Sequence, residues 1–236
     1  MSSWAKKVFW KTVTVEDVED GFTVKLDGRN LKTPAKAALV LPTREMANAV
    51  AAEWEAQVDE INPLSMPTTR SANASIDKVA IQHAEVAAML AEYGGTDLLC
   101  YRATSPEELI DRQAQQWDPV LDWCAETLEA RLKPVSGVMF VSQDSDALDR
   151  LRARVHEMTN FELAAFHDLV SLSGSLILGF AATHQMRPIE DIWTLSRLDE
   201  SWQEELWGED EEAVKQAEIK KEAFLHADRF YKMSRK

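Results

Sequence analysis

The stretch NFELAAFHDLVSLSGSLILGFAA, residues 160–182, decides what kind of fold this sequence can adopt. It is apolar at almost every position, whereas a helix that packs only one face against a core is apolar along a single stripe. The composition therefore predicts a central helix that is buried on all sides. Thr159 and Glu162 have the spacing of a capping box and predict where this helix begins. Neighbouring helices could approach it closely at its small residues, which are Ser173, Gly174, Ser175 and Gly179.

Helical patterns also fill most of the chain on both sides of this stretch. One apolar stripe before Gly94 and Gly95 predicts a long helix through Ala72, Ile76, Val79, His83, Val86, Ala87 and Leu90. The sequence SPEE (105–108) predicts a second capping box, with Pro106 at the first helical position. Pro188 predicts the start of a helix that Gly208 ends, and a last helix is predicted from about Asp210 to Met233.

Two segments in this helical part are expected to depart from regular helix. Asp118 and Pro119 predict a break or kink, because proline lacks the amide hydrogen and clashes with the preceding turn. The apolar run GVMFVS (137–142) predicts an isolated strand.

The first forty residues follow a different pattern, that of β-strands. The segments KVFWKTVTVE (7–16) and GFTVKLDGRNLKT (21–33) are rich in Val, Thr and Phe, and ALVLP (38–42) is a short apolar run. Asp27 and Gly28 predict a tight turn. Thr43 then predicts the cap of a helix with apolar residues at Ala47, Val50, Ala51, Trp54 and Val58.

Pro63 and Pro67 interrupt this pattern and indicate a domain edge. The sequence thus predicts an α+β protein. A small β-rich mixed domain is expected over residues 1–66, and a larger all-α helical bundle over residues 67–236.

Composition limits the classes of partner. The chain carries 40 acidic residues against 26 Lys and Arg, a net charge of −14, which disfavours binding to nucleic acid or to anionic membranes. Its longest apolar run, around residues 175–182, is far shorter than the roughly 20 residues of a membrane span, and the first residues lack the apolar segment of a signal peptide. We therefore expect a soluble intracellular protein without membrane insertion, in which Cys100 and Cys124 are reduced, buried thiols.

A search for catalytic motifs finds little. The eight glycines are too scattered for a dinucleotide-binding or phosphate-binding loop, and the five histidines do not form a metal-binding motif. His167 and Asp168 are adjacent, so they are expected to point about 100° apart on a helix and not to form a dyad. A metal site is not expected. An enzyme assembled from distant residues stays open at this point.

The most unusual segment is LSRLDESWQEELWGEDEE (195–212), with eight acids, one arginine and two tryptophans. On one helix, Leu195, Leu198, Trp202 and Leu206 would face the core. A second side would carry Trp193, Glu200 and Trp207, spaced by seven, with Arg197 and Glu204 beside them. Tryptophan and arginine among charges are typical of a binding surface. The alternative is that both tryptophans cover neighbouring helices while Glu200 pairs with Arg197.

Five motifs occur together in a particular order. They are DGRNLKTP (27–34), AAEWEAQ (51–57) followed by MPTTRSANASID (66–77), TDLLCYR (96–102), QWDPVLDW (116–123) and LSRLDESWQEELWG (195–208). With this set the chain resembles the assembly chaperones that bind the alpha subunit of the F-type ATP synthase, the ATP-twelve chaperone family. The resemblance runs from about residue 8 to about residue 210.

The resemblance implies a mixed N-terminal domain, a larger helical C-terminal domain and no cofactor. It also implies transient binding to the free alpha subunit, shielding surface that later contacts neighbouring subunits. Glu200 matches the acidic residue that the family uses for this contact. If the match is shifted by one residue, Asp199 takes this place instead. Six further residues match the family pattern and are interpreted mainly as structural, namely Trp54, Arg70, Asp97, Arg102, Trp117 and Asp118.

Because mitochondrial members carry a targeting extension, the resemblance favours a bacterial, cytoplasmic member. A monomer that is not an enzyme is expected. Two other classes stay open. One is a hydrolase that assembles Asp97, Asp118 and Glu200 with His167, and the other is a regulatory scaffolding module.

Overall fold

The computed structural model describes residues 7–235. The expectation that the first residues do not form a signal peptide concerns residues that lie partly outside this range. The described strands are β1 (Val13–Val18), β2 (Gly21–Leu26), β3 (Arg29–Asn30), β4 (Tyr101–Arg102) and β5 (Val135–Ser136). The described α-helices are α1 (Arg44–Glu55), α2 (Pro67–Ala74), α3 (His83–Glu92), α4 (Glu107–Thr127), α5 (Ser145–His156), α6 (Asn160–Ser173), α7 (Leu176–Thr183), α8 (Ile189–Ser196), α9 (Leu198–Trp207) and α10 (Glu211–Ser234). The predicted α+β class is confirmed.

The N-terminal sheet has the order β1-β2-β3, with antiparallel pairing throughout. Asp27 and Gly28 have φ values of 47° and 78°, which confirms the predicted tight turn between β2 and β3. The Asp27 carboxylate accepts hydrogen bonds from the backbone amides of Lys11 and Thr12, at 3.0 and 2.9 Å. These bonds lower the pKa of Asp27 below its ordinary value.

By their contacts, residues 7–83 group with residues 159–165 and 229–235 in a first compact unit. The helix cap predicted at Thr43 is confirmed, because its hydroxyl accepts from the Met46 amide at 3.2 Å. The buried core of this unit includes Val24, Leu26, Leu39, Leu41, Met46, Ala47, Val50, Ala72 and Phe230. The domain boundary after residue 66 stays a prediction, and by contacts residues 67–83 belong to this first unit.

The second compact unit comprises residues 84–158 and 166–228. Every residue of α7 is buried, as the opening stretch predicts. At Gly179, helix α7 lies close to α6, because a Cβ there would lie 2.7 Å from Val170 Cγ2 and 3.1 Å from Phe166 Cε2. Cys100 and Cys124 are free and buried, and burial raises the pKa of each thiol to about 12.

The single helix predicted over residues 160–182 is wrong, because the chain forms α6 and α7 instead. Its predicted start is correct, since Thr159 and Glu162 exchange capping-box hydrogen bonds of 2.8 and 3.3 Å. Gly174 adopts a φ of 72°, which ends α6. Ser175 then caps α7 by accepting from the Leu178 amide at 3.0 Å.

Two further helix predictions are corrected. The stripe from Ala72 to Leu90 is divided between α2 and α3, because a π-helical turn over Ser75–Val79 interrupts it. Of the predicted break or kink at Pro119, the break is absent, since α4 runs through the proline, and the kink stays a prediction. Because Trp117, Val120 and Leu121 are buried around the proline, their packing outweighs its cost of about 3 kcal/mol.

The segment SPEE does not form a capping box. Helix α4 begins at Glu107, with Pro106 as an extended residue before it, so Ser105 lies outside the capping position. The strand predicted at residues 137–142 is also misplaced. Residues Val135–Ser136 form β5, which pairs in parallel with β4, and the apolar residues after it are exposed.

Among residues 7–235, every helix is too short or too polar to cross a lipid bilayer.

Candidate partner-binding surface

The helix predicted from Pro188 to Gly208 is two helices, α8 and α9, separated at Arg197. The Ser196 hydroxyl donates to the Trp193 carbonyl at 2.6 Å, and Arg197 has φ −107° and ψ 13°. A serine that bonds its own helix backbone competes with regular helix hydrogen bonds. Residues of α8 and α9 therefore do not share the continuous face that a spacing of seven requires.

The two tryptophans of the predicted line have opposite environments. Trp193 is only 6% exposed, and its ring centroid lies 5.5 Å from that of Phe224 in α10. Trp207 is 78% exposed at the last turn of α9. Leu206, predicted to face the core, is 55% exposed. Trp193 thus packs in the core, whereas Trp207 is available to a partner.

Alanine substitutions are expected to separate these two roles. Trp193→Ala should lower the free energy of unfolding by about 3 kcal/mol, because it opens a cavity beside Phe224. Trp207→Ala should change it by less than about 0.5 kcal/mol, because the side chain is exposed. Urea unfolding followed by circular dichroism measures both values. Equal losses for the two variants would show that Trp207 also packs against the fold.

Arg197 lies at the centre of the acidic cluster. Its Nη1 donates to Glu200 Oε1 at 2.8 Å, and its Nη2 lies 3.5 Å from Glu204 Oε1. The predicted pairing of Glu200 with Arg197 is confirmed. One guanidinium here serves two carboxylates, so the cluster keeps a net negative charge. The Glu200 side chain is still 48% exposed.

Helix α9 is held against α4 by contacts that could not be predicted from the sequence. Arg112 makes two hydrogen bonds to Glu205, at 2.7 and 2.8 Å, and its guanidinium lies 4.7 Å from the Trp202 ring centroid. These bonds lower the pKa of Glu205. The buried side chain of Gln113 donates to Asp199 Oδ1 at 2.7 Å and accepts from the Ala103 amide at 2.8 Å. No local sequence pattern reveals these pairs, since up to 93 residues separate the partners.

The two neighbouring acids at the start of α9 therefore differ. Asp199 accepts a hydrogen bond from a buried glutamine, so it contributes to holding α9 in place. Among residues 7–235, the one ion-pair partner of Glu200 is Arg197, on the exposed side. The two acids that could match the family's acidic residue therefore have different environments.

Three of the six other family-pattern residues form one network. Arg102 is 9% exposed, and its Nη2 donates to Asp118 Oδ1 at 2.7 Å, while its Nε donates to the Leu99 carbonyl at 2.8 Å. Its guanidinium also lies 5.3 Å from the Trp117 ring centroid. Trp117 is fully buried and donates from Nε1 to the Leu195 carbonyl at 2.9 Å. This network joins β4, α4 and α8.

Asp97 makes a separate buried contact. It is 0% exposed and accepts from the Ser175 hydroxyl at 2.8 Å and the Ile177 amide at 3.1 Å, both at the start of α7. It also accepts from the Leu99 amide at 3.0 Å. Burial raises the pKa of Asp97 to about 6, against the effect of these hydrogen bonds. Its contacts are those of a residue that holds the fold.

Trp54 and Arg70 lie in the first unit. The Trp54 ring is partly buried, with its centroid 5.2 Å from that of Trp10, and its Nε1 has no hydrogen-bond partner among the described residues. Arg70 is exposed, and its side chain forms no ion pair within residues 7–235. A structural interpretation fits the packing of Trp54, but within residues 7–235 no ion pair supports it for Arg70.

The residues proposed for a hydrolase have separate partners. Asp97 contacts Ser175, Asp118 contacts Arg102, and Glu200 contacts Arg197. His167 Nδ1 does form a hydrogen bond with Asp168 Oδ1, at 3.0 Å, so the expectation that these side chains point apart is wrong. The bond raises the pKa of His167. Within the described chain, the four hydrolase candidates share no contact and no acidic or histidine cluster could hold a metal ion.

Two grooves of about 410 Å³ border α9. One lies toward α10 and is lined by Arg197, Glu200, Glu204, Trp207 and Lys220, among others. The other lies toward β4 and the segment after β5 and includes Tyr101, Val138, Asp199 and Trp202. Gln203 lines both grooves. The arrangement presents an exposed tryptophan and several acids on a helix that α4 holds in place.

An exposed aromatic residue among charges, fixed by a buried network, is typical of a protein that binds other proteins. The ATP12 chaperone protein family matches residues 7–125 of the chain. Atp12 from Paracoccus denitrificans is 48% identical, with a TM-score of 0.95 over 97% of this chain and 98% of that one. Its aspartate-to-lysine variant superposes with a TM-score of 0.96 over 99% and 100%.

A curated relative comes from a eukaryote. The mitochondrial protein atp12 of Schizosaccharomyces pombe is 25% identical over 218 residues, which are 87% of this chain and 75% of the relative. From these matches, the chain belongs to the ATP12 chaperone family.

Proposed function

We propose that this chaperone acts in ATP synthase assembly by binding the free alpha subunit until neighbouring subunits replace it. The observation that carries the proposal is Trp207, which is 78% exposed beside the acids of α9. An unassembled subunit exposes apolar interface that aggregates, and an acidic partner with an aromatic contact residue can cover it reversibly.

The α9 surface, defined as Arg197, Glu200, Glu204 and Trp207, is the proposed contact. Trp207 supplies apolar area without a role in the core, and Glu200 supplies charge on the exposed side of the helix. Of the two candidate acids, we assign the contact to Glu200, because Asp199 is engaged by the buried Gln113. Trp193, originally predicted on this surface, is assigned to the core instead.

Binding is expected to weaken when the α9 surface is changed. Trp207→Ala and Glu200→Lys should each raise the Kd for purified alpha subunit by about 30-fold, the effect of losing a hot-spot residue. The measurement is biolayer interferometry with immobilised chaperone, together with light scattering of the alpha subunit on dilution from urea. Both variants should keep the wild-type urea midpoint, since an exposed ion pair contributes about 1 kcal/mol or less.

Matched controls test whether the α9 surface is specific. Leu64→Ala removes an apolar side chain that is 80% exposed, and Glu19→Lys reverses an exposed acid. Neither should change the Kd. If wild-type protein captures the alpha subunit but Trp207→Ala and Glu200→Lys bind equally well, the contact lies on another surface. Failure of wild-type protein to bind would reject the proposed function.

A monomeric state and a cytoplasmic location stay predictions. Sedimentation of the purified chain tests the first, and fractionation of the source cells tests the second.

A further inference from the structure

Four consecutive apolar side chains after β5 are exposed. Val138, Met139, Phe140 and Val141 are 93, 77, 67 and 43% exposed, respectively. The sequence predicted an isolated strand here, but β5 ends at Ser136 and the chain continues without regular structure. A contiguous apolar surface of this kind on a folded protein indicates an interaction site.

Both ends of this segment are held by hydrogen bonds. Before it, the Gly137 amide donates to the Arg102 carbonyl at 2.8 Å. After it, the buried Gln143 side chain pairs with both backbone groups of Lys133, at 2.8 and 3.0 Å. Asp144 then caps α5 by accepting from the Ala147 amide at 2.9 Å. The exposed residues thus extend from a fixed base.

The backbone of these four residues is also available for pairing. Within residues 7–235, their amide and carbonyl groups make no hydrogen bond with another residue. An extended segment with free backbone groups can pair with a strand from another chain, as in β-strand addition. Apolar side chains on both sides would then contact the added strand.

The apolar segment adjoins the α9 surface. Val138 lines the groove of about 410 Å³ that Trp202, Gln203 and Asp199 close on the other side. Gln203 also lines the groove that contains Trp207 and Glu200. The segment is therefore continuous with the surface proposed for the alpha subunit.

The charge around the groove indicates the chemistry of its occupant. Helix α9 carries four acids, Asp199, Glu200, Glu204 and Glu205, and no basic residue. Only Arg197 and Arg112 pair with these carboxylates among the described residues. Asp199 lines the groove itself together with Arg102, and the other three acids lie beside it along α9. The apolar segment thus adjoins a helix of net negative charge, which complements an apolar segment that has Lys or Arg beside it.

We propose that Val138–Val141 and the adjoining groove bind an extended apolar segment of the unassembled alpha subunit, with basic residues next to its apolar ones. The proposal rests on the proposed function and adds a second contact to the α9 surface. Two contacts on one partner would hold it more tightly than Trp207 alone, and each could be displaced separately by the true neighbouring subunit.

Photo-crosslinking from the full-length chain tests this assignment. Benzoylphenylalanine is placed at position 140, at position 207, or at position 64 as an exposed control, and each protein is irradiated with purified alpha subunit. The expected result is a crosslink from positions 140 and 207 but not from position 64. Mass spectrometry should locate the position-140 crosslink in an apolar segment that is adjacent to Lys or Arg.

An affinity measurement provides a second test. The double variant Met139→Ser, Phe140→Ser should raise the Kd about 10-fold, in the range of an interface contact residue. Ile81→Ser, at a side chain that is 77% exposed, is the control and should have no effect. The wild-type Kd should also rise with salt, because the occupant is basic.

The outcomes separate this inference from the proposed function. If position 207 crosslinks to the alpha subunit but position 140 does not, or if the double variant has an unchanged Kd, the proposed role of Val138–Val141 is rejected. The proposed function would still stand. Crosslinks between two copies of the chain, or to an acidic segment, also overturn this role of Val138–Val141. If the wild-type chain fails to bind the alpha subunit, the proposed function and this inference are both rejected.

Discussion

Asp97→Ala is expected to lower the free energy of unfolding at pH 7 by about 4 kcal/mol. Asp97 is fully buried and accepts hydrogen bonds from Ser175, Ile177 and Leu99. Removing the carboxylate leaves these buried donors unsatisfied, and each such group costs about 1–3 kcal/mol. Urea unfolding followed by circular dichroism gives the value. A loss below about 1 kcal/mol would show that α7 does not depend on this carboxylate.

The same residue should make stability depend on pH. Burial raises the folded-state pKa of Asp97 from the ordinary 3.8 to about 6, so between these values the folded chain binds more protons than the unfolded chain. Its contribution to the free energy of unfolding therefore falls as pH rises through this window, by about 3 kcal/mol. Asp97→Asn cannot titrate and serves as the reference.

The measured quantity is the difference in free energy of unfolding between wild type and Asp97→Asn at pH 4.5, 5.5 and 7. Wild type should have its largest advantage over the variant at pH 4.5 and lose part of it by pH 7. Other carboxylates titrate in both proteins and cancel in the difference. A difference that is constant, or that grows with pH, would mean that the pKa of Asp97 is not raised.

Trp117→Ala is expected to be about as damaging, with a loss of about 4 kcal/mol. The indole is completely buried, and large-to-small substitutions of buried tryptophan cost 3–5 kcal/mol. The change also leaves the Leu195 carbonyl without its donor and removes the ring beside the Arg102 guanidinium. Because Leu195 lies in α8, directly before α9, the variant should also weaken alpha-subunit binding.

Trp117→Phe separates the loss of ring packing from the loss of the hydrogen bond to the Leu195 carbonyl. It keeps an aromatic ring but lacks Nε1, so its loss should be about 1–2 kcal/mol, the cost of an unsatisfied buried carbonyl and a smaller side chain. Circular dichroism during urea unfolding measures stability, and interferometry with the alpha subunit measures binding. If Trp117→Phe is as unstable as Trp117→Ala, the hydrogen bond to Leu195 matters more than the packing of the ring.

The acidic stretch illustrates where sequence reasoning succeeds for a site. A spacing of three residues placed Glu200 within reach of Arg197, and the pair forms at 2.8 Å. A spacing of seven placed Trp193, Glu200 and Trp207 on one side of a helix, and this failed because Ser196 and Arg197 interrupt the helix. Periodicity is reliable over one helical turn, but over two turns it depends on the helix being unbroken.

The sequence by itself determined the features that depend on neighbouring residues. These include the α+β class, the Asp27-Gly28 turn, the Thr43 cap and the Thr159–Glu162 capping box, because each depends on residues only a few positions apart. Five ordered motifs also indicated the chaperone family, which the comparisons confirm.

Only the tertiary structure decided where helices break and which side chains are exposed. Gly174 and Ser175 form the break before α7, and Asp97, 78 residues away from Ser175, accepts hydrogen bonds at the first turn of this helix. Trp193 is buried because α10 brings Phe224 against it, and Trp207 is exposed because no such neighbour covers it among the described residues. Burial and capping here depend on chain segments far apart in sequence, and local patterns carry no information about which distant segments meet.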